Sequence, residues 1–358
     1  MTARAEMTES LALNPASPTK TYVVEAHATD PVEGLAGLPG AIEPTDDAYL
    51  FRLVTPEGPY WIDQLNERFW RFHTDVPNRV AYPILRDWIS SRRDLDWMWL
   101  PSEHLRHLWP GAISRRVRTD FRGREFLGAN VRAREMRVQL FGQDAERLLD
   151  IISGIPDYSS AVSFDGIETQ IEDASFGYVK EGVNRMGRFA ASGDSPELHF
   201  QFVDAVVDRY SRLVELCEQR AIGWVGQAES DEGGGIMTGG PLVIRFRREI
   251  EDVEAFADEL TSSRGPFRLW GLVEVKRGVA EVEAVDLHVG QTLELDIAST
   301  WMRIYLRQGS CGNTVARLIS NLQHRFDGAL FLEDPELDAA ARRSPLPGAL
   351  FRTSAVHP

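Results

Sequence analysis

Arginines crowd one stretch of the chain and are its clearest candidates for anion binding. Residues 106–137 hold nine arginines and three acidic residues, a local balance of 9 − 3 = +6. Guanidinium groups bind phosphate oxygens in bidentate geometry, and nearby tryptophans could stack on bases. The alternative is that these side chains pair with the many acidic residues of the same chain. The candidate residues are Arg115, Arg116, Arg118, Arg122 and Arg124.

A second candidate anion site lies in the turn QGSCGNT, residues 308–314, which precedes a predicted helix. Free N–H groups at a helix N-terminus attract anions, and in such a position Cys311 would have a lowered pKa and be a better nucleophile. The turn has no Walker lysine, so it is not a P-loop. The alternative is an ordinary tight turn. The candidate residues here are Ser310, Cys311, Gly312, Asn313 and Thr314.

A predicted hairpin around Gly290 carries acidic and histidine side chains. Asp286 and His288 alternate with apolar residues, and Glu294 and Asp296 would share their polar face. Such a set could bind a divalent metal ion, but charged alternation is also what the wet side of any half-buried sheet displays. We expect the wet side, and we predict neither a metal ion nor another cofactor.

No catalytic motif stands out in the chain. A G-x-S-x-G elbow, a Rossmann glycine fingerprint, a CxxC pair and an EF-hand loop are all missing from the sequence. His104 and His107 occur as EHLRH, whereas zincin chemistry requires the order His-Glu-x-x-His. Whether the protein is an enzyme is left open, and no catalytic residue is assigned.

The elements that must position these residues begin with an aromatic block. Trp61, Trp70, Trp88, Trp97, Trp99 and Trp109 lie within residues 60–109. The spacing of three and four residues among Ile62, Leu65, Phe69 and Phe72 predicts a helix. We therefore predict an α+β fold in which a Trp-rich, mainly helical N-terminal region precedes one or two helix-on-antiparallel-sheet modules.

The order strand–helix–strands–helix occurs twice in the predicted elements. This suggests a tandem duplication that relates residues 132–223 to residues 241–330, and a single continuous α+β domain is the alternative.

Glycine, proline and charge patterns give the predicted boundaries of the segments. The predicted parts are a disordered tail (1–20), the N-terminal region (21–131), a first module (132–228), a Gly-rich linker (229–241), a second module (242–332) and a C-terminal arm (333–358).

Charge and cysteine content limit the function classes. The 358 residues include 39 basic and 54 acidic side chains, a net charge of −15, which disfavours broad attraction to DNA or anionic lipid. Two cysteines, Cys217 and Cys311, and the lack of an apolar targeting segment favour a cytoplasmic protein without membrane association.

The sequence favours a non-enzymatic binding or assembly protein that acts through protein–protein contacts or self-association. One alternative is binding of nucleic acid or nucleotide phosphates through Arg115–Arg124. The second alternative is a hydrolase-type enzyme that uses Cys311 or a metal ion on the Asp286/His288 face.

Overall fold

Strands form most of the first part of the chain. The computed structural model describes residues 2–11, 18–28, 30–106, 108, 112–226, 235–263 and 265–343. The first part contains helices α1 (Ala3–Ser10), α2 (Pro31–Gly34) and α3 (Asn78–Ser90) and strands β1 (Thr19–Ala26), β2 (Ala41–Pro44), β3 (Leu50–Thr55), β4 (Gly58–Asp63), β5 (Phe69–Thr74) and β6 (Leu95–Trp97).

Strands and helices alternate in the rest of the chain. The middle part contains β7 (Ile113–Arg122), β8 (Glu135–Phe141), α4 (Ala145–Ser153), β9 (Gly166–Asp173), β10 (Gly177–Asn184), β11 (Arg188–Gly193), α5 (Pro196–Gln219), β12 (Gly223–Gly226) and β13 (Gly235–Thr238). The last part contains β14 (Leu242–Arg245), α6 (Val253–Leu260), β15 (Leu269–Lys276), β16 (Val279–Asp286), β17 (Thr292–Ala298), β18 (Trp301–Leu306), α7 (Asn313–Arg325), β19 (Phe331–Leu332) and α8 (Pro335–Arg343).

These strands form two large sheets and one short ribbon. The larger sheet has 11 strands in the order β2-β3-β4-β5-β1-β11-β10-β9-β7-β8, with β6 also paired to β1. The smaller sheet has six strands in the order β15-β16-β17-β18-β14-β19, and β12 pairs with β13. Every named pair of strands is antiparallel, and the largest hydrophobic core contains residues of both sheets and of helices α5 and α7.

The predicted mainly helical N-terminal region is wrong, because this region is mostly sheet. Ile62 lies on β4, whereas Phe69 and Phe72 lie on β5, and a turn at Leu65 separates these two strands. Every residue of β5 is buried, so both faces of the strand accept apolar side chains. The alternation of apolar and polar residues that identifies a half-exposed strand is therefore missing from its sequence. Aromatic residues also favour strands, and the helical spacing arose by coincidence across the turn.

The chain repeats one topology at its two ends. Residues 19–97, here the first repeat, and residues 242–332, the last repeat, each run strand–helix–four strands–helix–strand with equivalent strand order. The strand register also agrees between the repeats. In the first repeat, Arg71 is opposite Val23 on one neighbouring strand and opposite Asp63 on the other. In the last repeat, Arg303 is opposite Val243 and Asp296 in the same way.

This repeat differs from the predicted duplication of residues 132–223 and 241–330. In the middle part, β8 lies beside β7 and far from β11, and only three strands separate helices α4 and α5. In the last repeat, by contrast, the first strand β14 lies beside β18, the fourth strand after the helix. Element order alone did not distinguish these two topologies.

The predicted segment boundaries fall differently on the observed elements. Residues 3–10 of the predicted tail form α1, and the boundary at residue 131 falls inside the larger sheet, because β7 pairs with both β8 and β9. Within the predicted linker, residues 235–238 form β13, and residues 229–234 lie outside the described residues. In the predicted C-terminal arm, α8 extends to Arg343, after which the described residues end.

Candidate anion-binding site

Strand β7 sorts its side chains onto two faces. Val117, Thr119 and Phe121 are buried, whereas the alternate residues Arg116 and Arg118 are only half-buried. This alternation follows from the pleat of a strand whose one face covers the core. The arginines therefore point together to the other side of the sheet.

Two adjoining cavities meet on that side. One, of about 420 Å³, is lined by residues that include Lys20, Arg116 and Asn78. The other, of about 500 Å³, is lined by residues that include Tyr82, Asp120 and Asp165. Both share Arg118, Asn184 and Arg188 in their lining. We call the two cavities together the arginine groove.

The arginine groove is strongly cationic. Two acids, Asp120 and Asp165, lie among its lining residues. The eight basic residues that line it are Lys20, Arg116, Arg118, Arg122, Arg137, Arg185, Arg188 and Arg325. The local balance is 8 − 2 = +6, in a chain whose net charge is −15.

Ion pairs hold several of these arginines in place. Asp120 accepts hydrogen bonds from Arg122 at 2.7 Å and from Arg137 at 3.1 Å. Burial opposes ionisation of Asp120, but these two arginines outweigh it and lower its pKa to about 2. Asp165 lies 2.6 Å from Arg118 and 3.2 Å from Arg185, while Arg116 pairs with Glu168 at 3.0 Å.

Arg188 is different, because its charge is not paired. Among the described residues, its half-buried guanidinium has no ion-pair partner, and its Nε is buried without a hydrogen-bond acceptor. The guanidinium carbon lies 4.2 Å from the centre of the Tyr82 ring. Burial lowers the pKa of Arg188 from its usual value, since water is partly removed from the charge. A nearby anion would favour the charged form of this half-buried side chain.

The comparisons with known proteins identify a family. A model of the MJECL33-like protein family matches residues 4–340. The chain belongs to the MJECL33-like protein family. Its relative from Methanocaldococcus jannaschii, named Uncharacterized protein MJECL33, is 28% identical over 360 residues, covering 88% of this chain and 86% of the relative. No solved structure matches the chain. Among the described helices, none is long and apolar enough to span a bilayer.

Three of the five predicted arginines line the groove, and two do not. Arg116, Arg118 and Arg122 are in its lining. Arg115 donates instead to Gln170 at 2.5 Å, and Arg124 pairs with Glu135 beyond the end of β7. The lining residues that sequence analysis missed, among them Arg185, Arg188 and Arg325, come from a β-turn, from β11 and from the end of α7.

The predicted anion site in the turn before α7 is occupied by the protein's own groups. The N–H of Gly312 donates to Glu218 at 2.8 Å, and the N–H of Cys311 donates to Gln291 at 3.0 Å. The side chain of Thr314 donates to Asp286. Two further predicted residues also bond within the chain: Ser310 accepts from the N–H of Arg307 at 3.1 Å, and Asn313 donates to the carbonyl oxygen of Trp97 at 3.2 Å.

The surroundings of Cys311 do not activate its thiol. Burial raises the pKa of its thiol well above the usual value, and the charge of Glu25 raises it further. The Cys311 Sγ lies 3.4 Å from a Glu25 carboxylate oxygen. In this setting the thiol is a poor nucleophile, because the nucleophilic form is the thiolate.

The expected polar face around the hairpin is also wrong. Asp286 and His288 are buried, whereas Glu294 is exposed and Asp296 only half-buried. Glu294 pairs in register with Glu283, and Asp296 with Glu281, so neither is opposite Asp286 or His288. Beyond the end of β16 the chain turns inward, where His288 contacts Glu25 at 3.2 Å. Sequence alone gave no sign of Glu25, which lies on a strand of the first repeat.

Proposed function

We propose that the protein binds a small phosphate-bearing ligand, of the size of a nucleotide, in the arginine groove. The unpaired guanidinium of Arg188 is the observation that carries this proposal. Among the described residues, this half-buried positive charge has no anionic partner, and the groove around it is also positively charged. Arginine pairs with phosphate through two parallel hydrogen bonds. A bound phosphate would supply the counter-charge that the Arg188 guanidinium lacks among the described residues.

The size of the groove favours a small ligand over a nucleic-acid duplex. Its cavities of about 420 and 500 Å³ lie in the usual range of small-molecule pockets, roughly 300–1,000 Å³. Tyr82 offers an aromatic ring in the same wall, and the Asn184 amide offers a donor and an acceptor. An extended single strand of nucleic acid is the competing ligand.

The described lining of the groove favours binding over nucleophilic catalysis. It contains no serine, threonine or cysteine, the side chains that most often attack a phosphoryl or acyl group. His324 lines one cavity, but burial lowers its pKa to about 3, so it would remain neutral at physiological pH. We accordingly retain the class of a non-enzymatic binding protein. We place it in the cytoplasm, because Cys217 and Cys311 are both free thiols.

Titration with a fluorescently labelled ATP, followed by polarisation at low salt, tests the proposal. We expect saturable binding that Arg188→Gln weakens at least tenfold. The matched control is Arg132→Gln, because Arg132 belongs to the same arginine-rich stretch but is 79% exposed and pairs with Asp157 outside the groove. Circular dichroism of both variants checks the fold.

Two results would overturn this function. One is that the parent protein at low salt binds neither labelled ATP nor inorganic pyrophosphate, the latter measured by calorimetry. The other is equal loss in Arg188→Gln and Arg132→Gln. A labelled single-stranded oligonucleotide is titrated in parallel, and tighter binding of the oligonucleotide would replace the nucleotide by nucleic acid as the ligand.

Exposed apolar residues on and around α4 favour a second candidate function, self-association. Leu148, Ile151, Ile155 and Tyr158 recur at spacings of three and four residues and are 37–60% exposed. The Phe141 side chain on the neighbouring edge strand β8 is 69% exposed. A second copy of this chain is the occupant we propose, because one apolar patch can face its own copy across a two-fold axis.

Light scattering of the purified protein tests self-association. We expect a dimer that Ile151→Glu converts to a monomer. Leu65→Glu is the control, since Leu65 is 61% exposed but lies in the turn between β4 and β5, away from the patch. A monomeric parent protein at high concentration would refute this candidate.

A further inference from the structure

Four side chains with metal-ligating atoms meet between the two repeats. Glu25 and His27 belong to the first repeat, and His288 and Cys311 to the last. One ligand atom from each lies within 4.8 Å of every other. We call these four residues the inter-repeat cluster.

The separations within the inter-repeat cluster suit one small cation. The Glu25 carboxylate lies 3.2 Å from His288 Nε2, 3.5 Å from His27 Nε2 and 3.4 Å from Cys311 Sγ. Bonds of zinc to nitrogen, oxygen and sulfur in a tetrahedron require ligand atoms about 3.3–3.7 Å apart. Glu25 therefore stands at nearly the distance from each of the other three donors that an ion between them would set, and the remaining donor pairs lie within 4.8 Å.

The chemistry of the donors selects the class of ion. Two imidazoles, one thiolate and one carboxylate form a mixed nitrogen, sulfur and oxygen set, which suits Zn²⁺ and related divalent transition metals. Calcium and magnesium prefer oxygen ligands throughout, so this set disfavours them.

The inter-repeat cluster is mostly enclosed by the protein but is open to solvent on one side. The side chains of Glu25 and His288 are fully buried, so an ion held between them would be shielded from water. The side chain of His27 is 33% exposed, which gives the cluster a route to solvent.

A second layer of contacts orients the donors. Arg68 lies 2.7 Å from Glu25 and 3.5 Å from Cys311 Sγ, and it also holds Glu218 at 2.6 Å. Contacts of this kind fix the direction of metal-bound carboxylates and thiolates. The backbone of Cys311 is fixed separately by Gln291, so the thiol position does not depend on Arg68 alone.

We propose that Glu25, His27, His288 and Cys311 bind one divalent transition-metal ion of the zinc class, which links the first repeat to the last. Glu25, His288 and Cys311 hold the ion from the protein interior, and His27 closes the site from the solvent side. The ion binds independently of the phosphate ligand proposed for the arginine groove, because the two sites share no lining residue.

The experiment compares the full-length protein with two cysteine variants. The protein is freed of metal with a chelator, dialysed and titrated with Co²⁺ under reducing conditions. We expect one ion per chain, intense visible bands of tetrahedral Co²⁺ and a near-ultraviolet thiolate-to-cobalt band. Cys311→Ser abolishes the thiolate band and weakens Co²⁺ binding more than tenfold. Cys217→Ser, the matched control, keeps both, because Cys217 is buried in α5 outside the cluster.

His27→Ala is the variant least able to disturb the fold, because His27 is the exposed member of the cluster. We expect it to weaken Co²⁺ binding and to remove the rise in thermal midpoint that Zn²⁺ gives the parent protein. A folded parent that takes up no Co²⁺ would refute the site and leave a purely hydrogen-bonded cluster. Unchanged cobalt spectra in Cys311→Ser would also refute it.

Discussion

Arg317 in the last repeat forms a buried ion pair with Asp96 in the first. The Arg317 side chain is fully buried, and it also pairs with Asp286 at the end of β16. Its Nε donates to the carbonyl oxygen of Phe267 at 2.8 Å. One guanidinium on α7 thus bridges two carboxylates that belong to different ends of the chain, and Arg268, 3.5 Å from Asp96, supplies a second positive charge.

Arg317→Met should strongly destabilise the protein. It leaves Asp286 buried without a counter-charge and leaves Asp96 with Arg268 alone, 3.5 Å away, and loss of one partner of a buried pair costs about 3–5 kcal/mol. Urea denaturation measures the free energy of unfolding. Arg307→Met is the control, because Arg307 and its partner Glu294 are 65% and 53% exposed, and such pairs contribute less than about 1 kcal/mol. Similar losses in both variants would contradict this role of Arg317.

Mild acid should destabilise the protein through three buried histidines. Burial lowers the pKa of His73 and of His324 to about 3, and lowers that of His104 well below its usual value. Their ordinary pKa in the unfolded chain is about 6.5, so below that pH the unfolded state binds more protons and the free energy of unfolding falls. The effect is absent above about pH 7.5 and grows as the pH drops toward 5.

His324→Asn isolates one of these contributions. The neighbours of His324 include Ser163, which contacts its Nδ1 at 2.9 Å, and the charged residues Arg185, Asp165 and Asp120. We expect the slope of unfolding free energy against pH, measured between pH 5 and 6.5, to decrease by up to about 1.4 kcal/mol per pH unit. An unchanged slope would mean that His324 is already protonated in the folded protein.

Gly312→Ala should destabilise the contact between α7 and α5. A Cβ atom at position 312 would lie 2.2 Å from the carbonyl oxygen of Val214, so one of the two helices would have to move. Overpacking of this kind costs about 1–3 kcal/mol. Gly240→Ala is the matched control, since a Cβ there meets nothing within 4 Å, and we expect a change below about 0.5 kcal/mol. Thermal unfolding of both variants makes the comparison.

Salt should weaken ligand binding in the arginine groove, and less so in a variant with one cation fewer. Exposed charges are screened over about 10 Å at 0.1 M salt, so affinity for an anionic ligand falls as salt rises. Arg122→Gln removes one lining cation that is 58% exposed, and it should flatten the plot of log affinity against log salt. Parallel plots for the parent and the variant would show that Arg122 takes no part.

Strands with one exposed face could be predicted from the sequence, and strands buried on both faces could not. In β16 and β17, buried and more exposed residues alternate, and this alternation predicts the hairpin around Gly290. In β5 all six residues are buried, so the pattern FWRFHT carries no period of two. The prediction of a helical N-terminal region failed for that reason.

Sites made within one strand could be predicted in part, and sites made between distant segments could not. Arg116, Arg118 and Arg122 follow one another at even spacing, so β7 alone brings them to one face. Arg188 joins them only because of strand pairing across the sheet. The pKa of Cys311 depends on Glu25, which lies 286 residues away in the sequence, and no local pattern contains that neighbour.

The two repeats share a topology but have not kept the same residues. The register places Glu25 of the first repeat in the position that Arg245 holds in the last, and Arg245 pairs there with Glu333. Neither end of the chain therefore contains a second copy of the inter-repeat cluster. The two ends contribute different members to the cluster, because Glu25 and His27 come from the first repeat and His288 and Cys311 from the last, so the proposed ion would cross-link the segments of the chain that lie farthest apart in sequence.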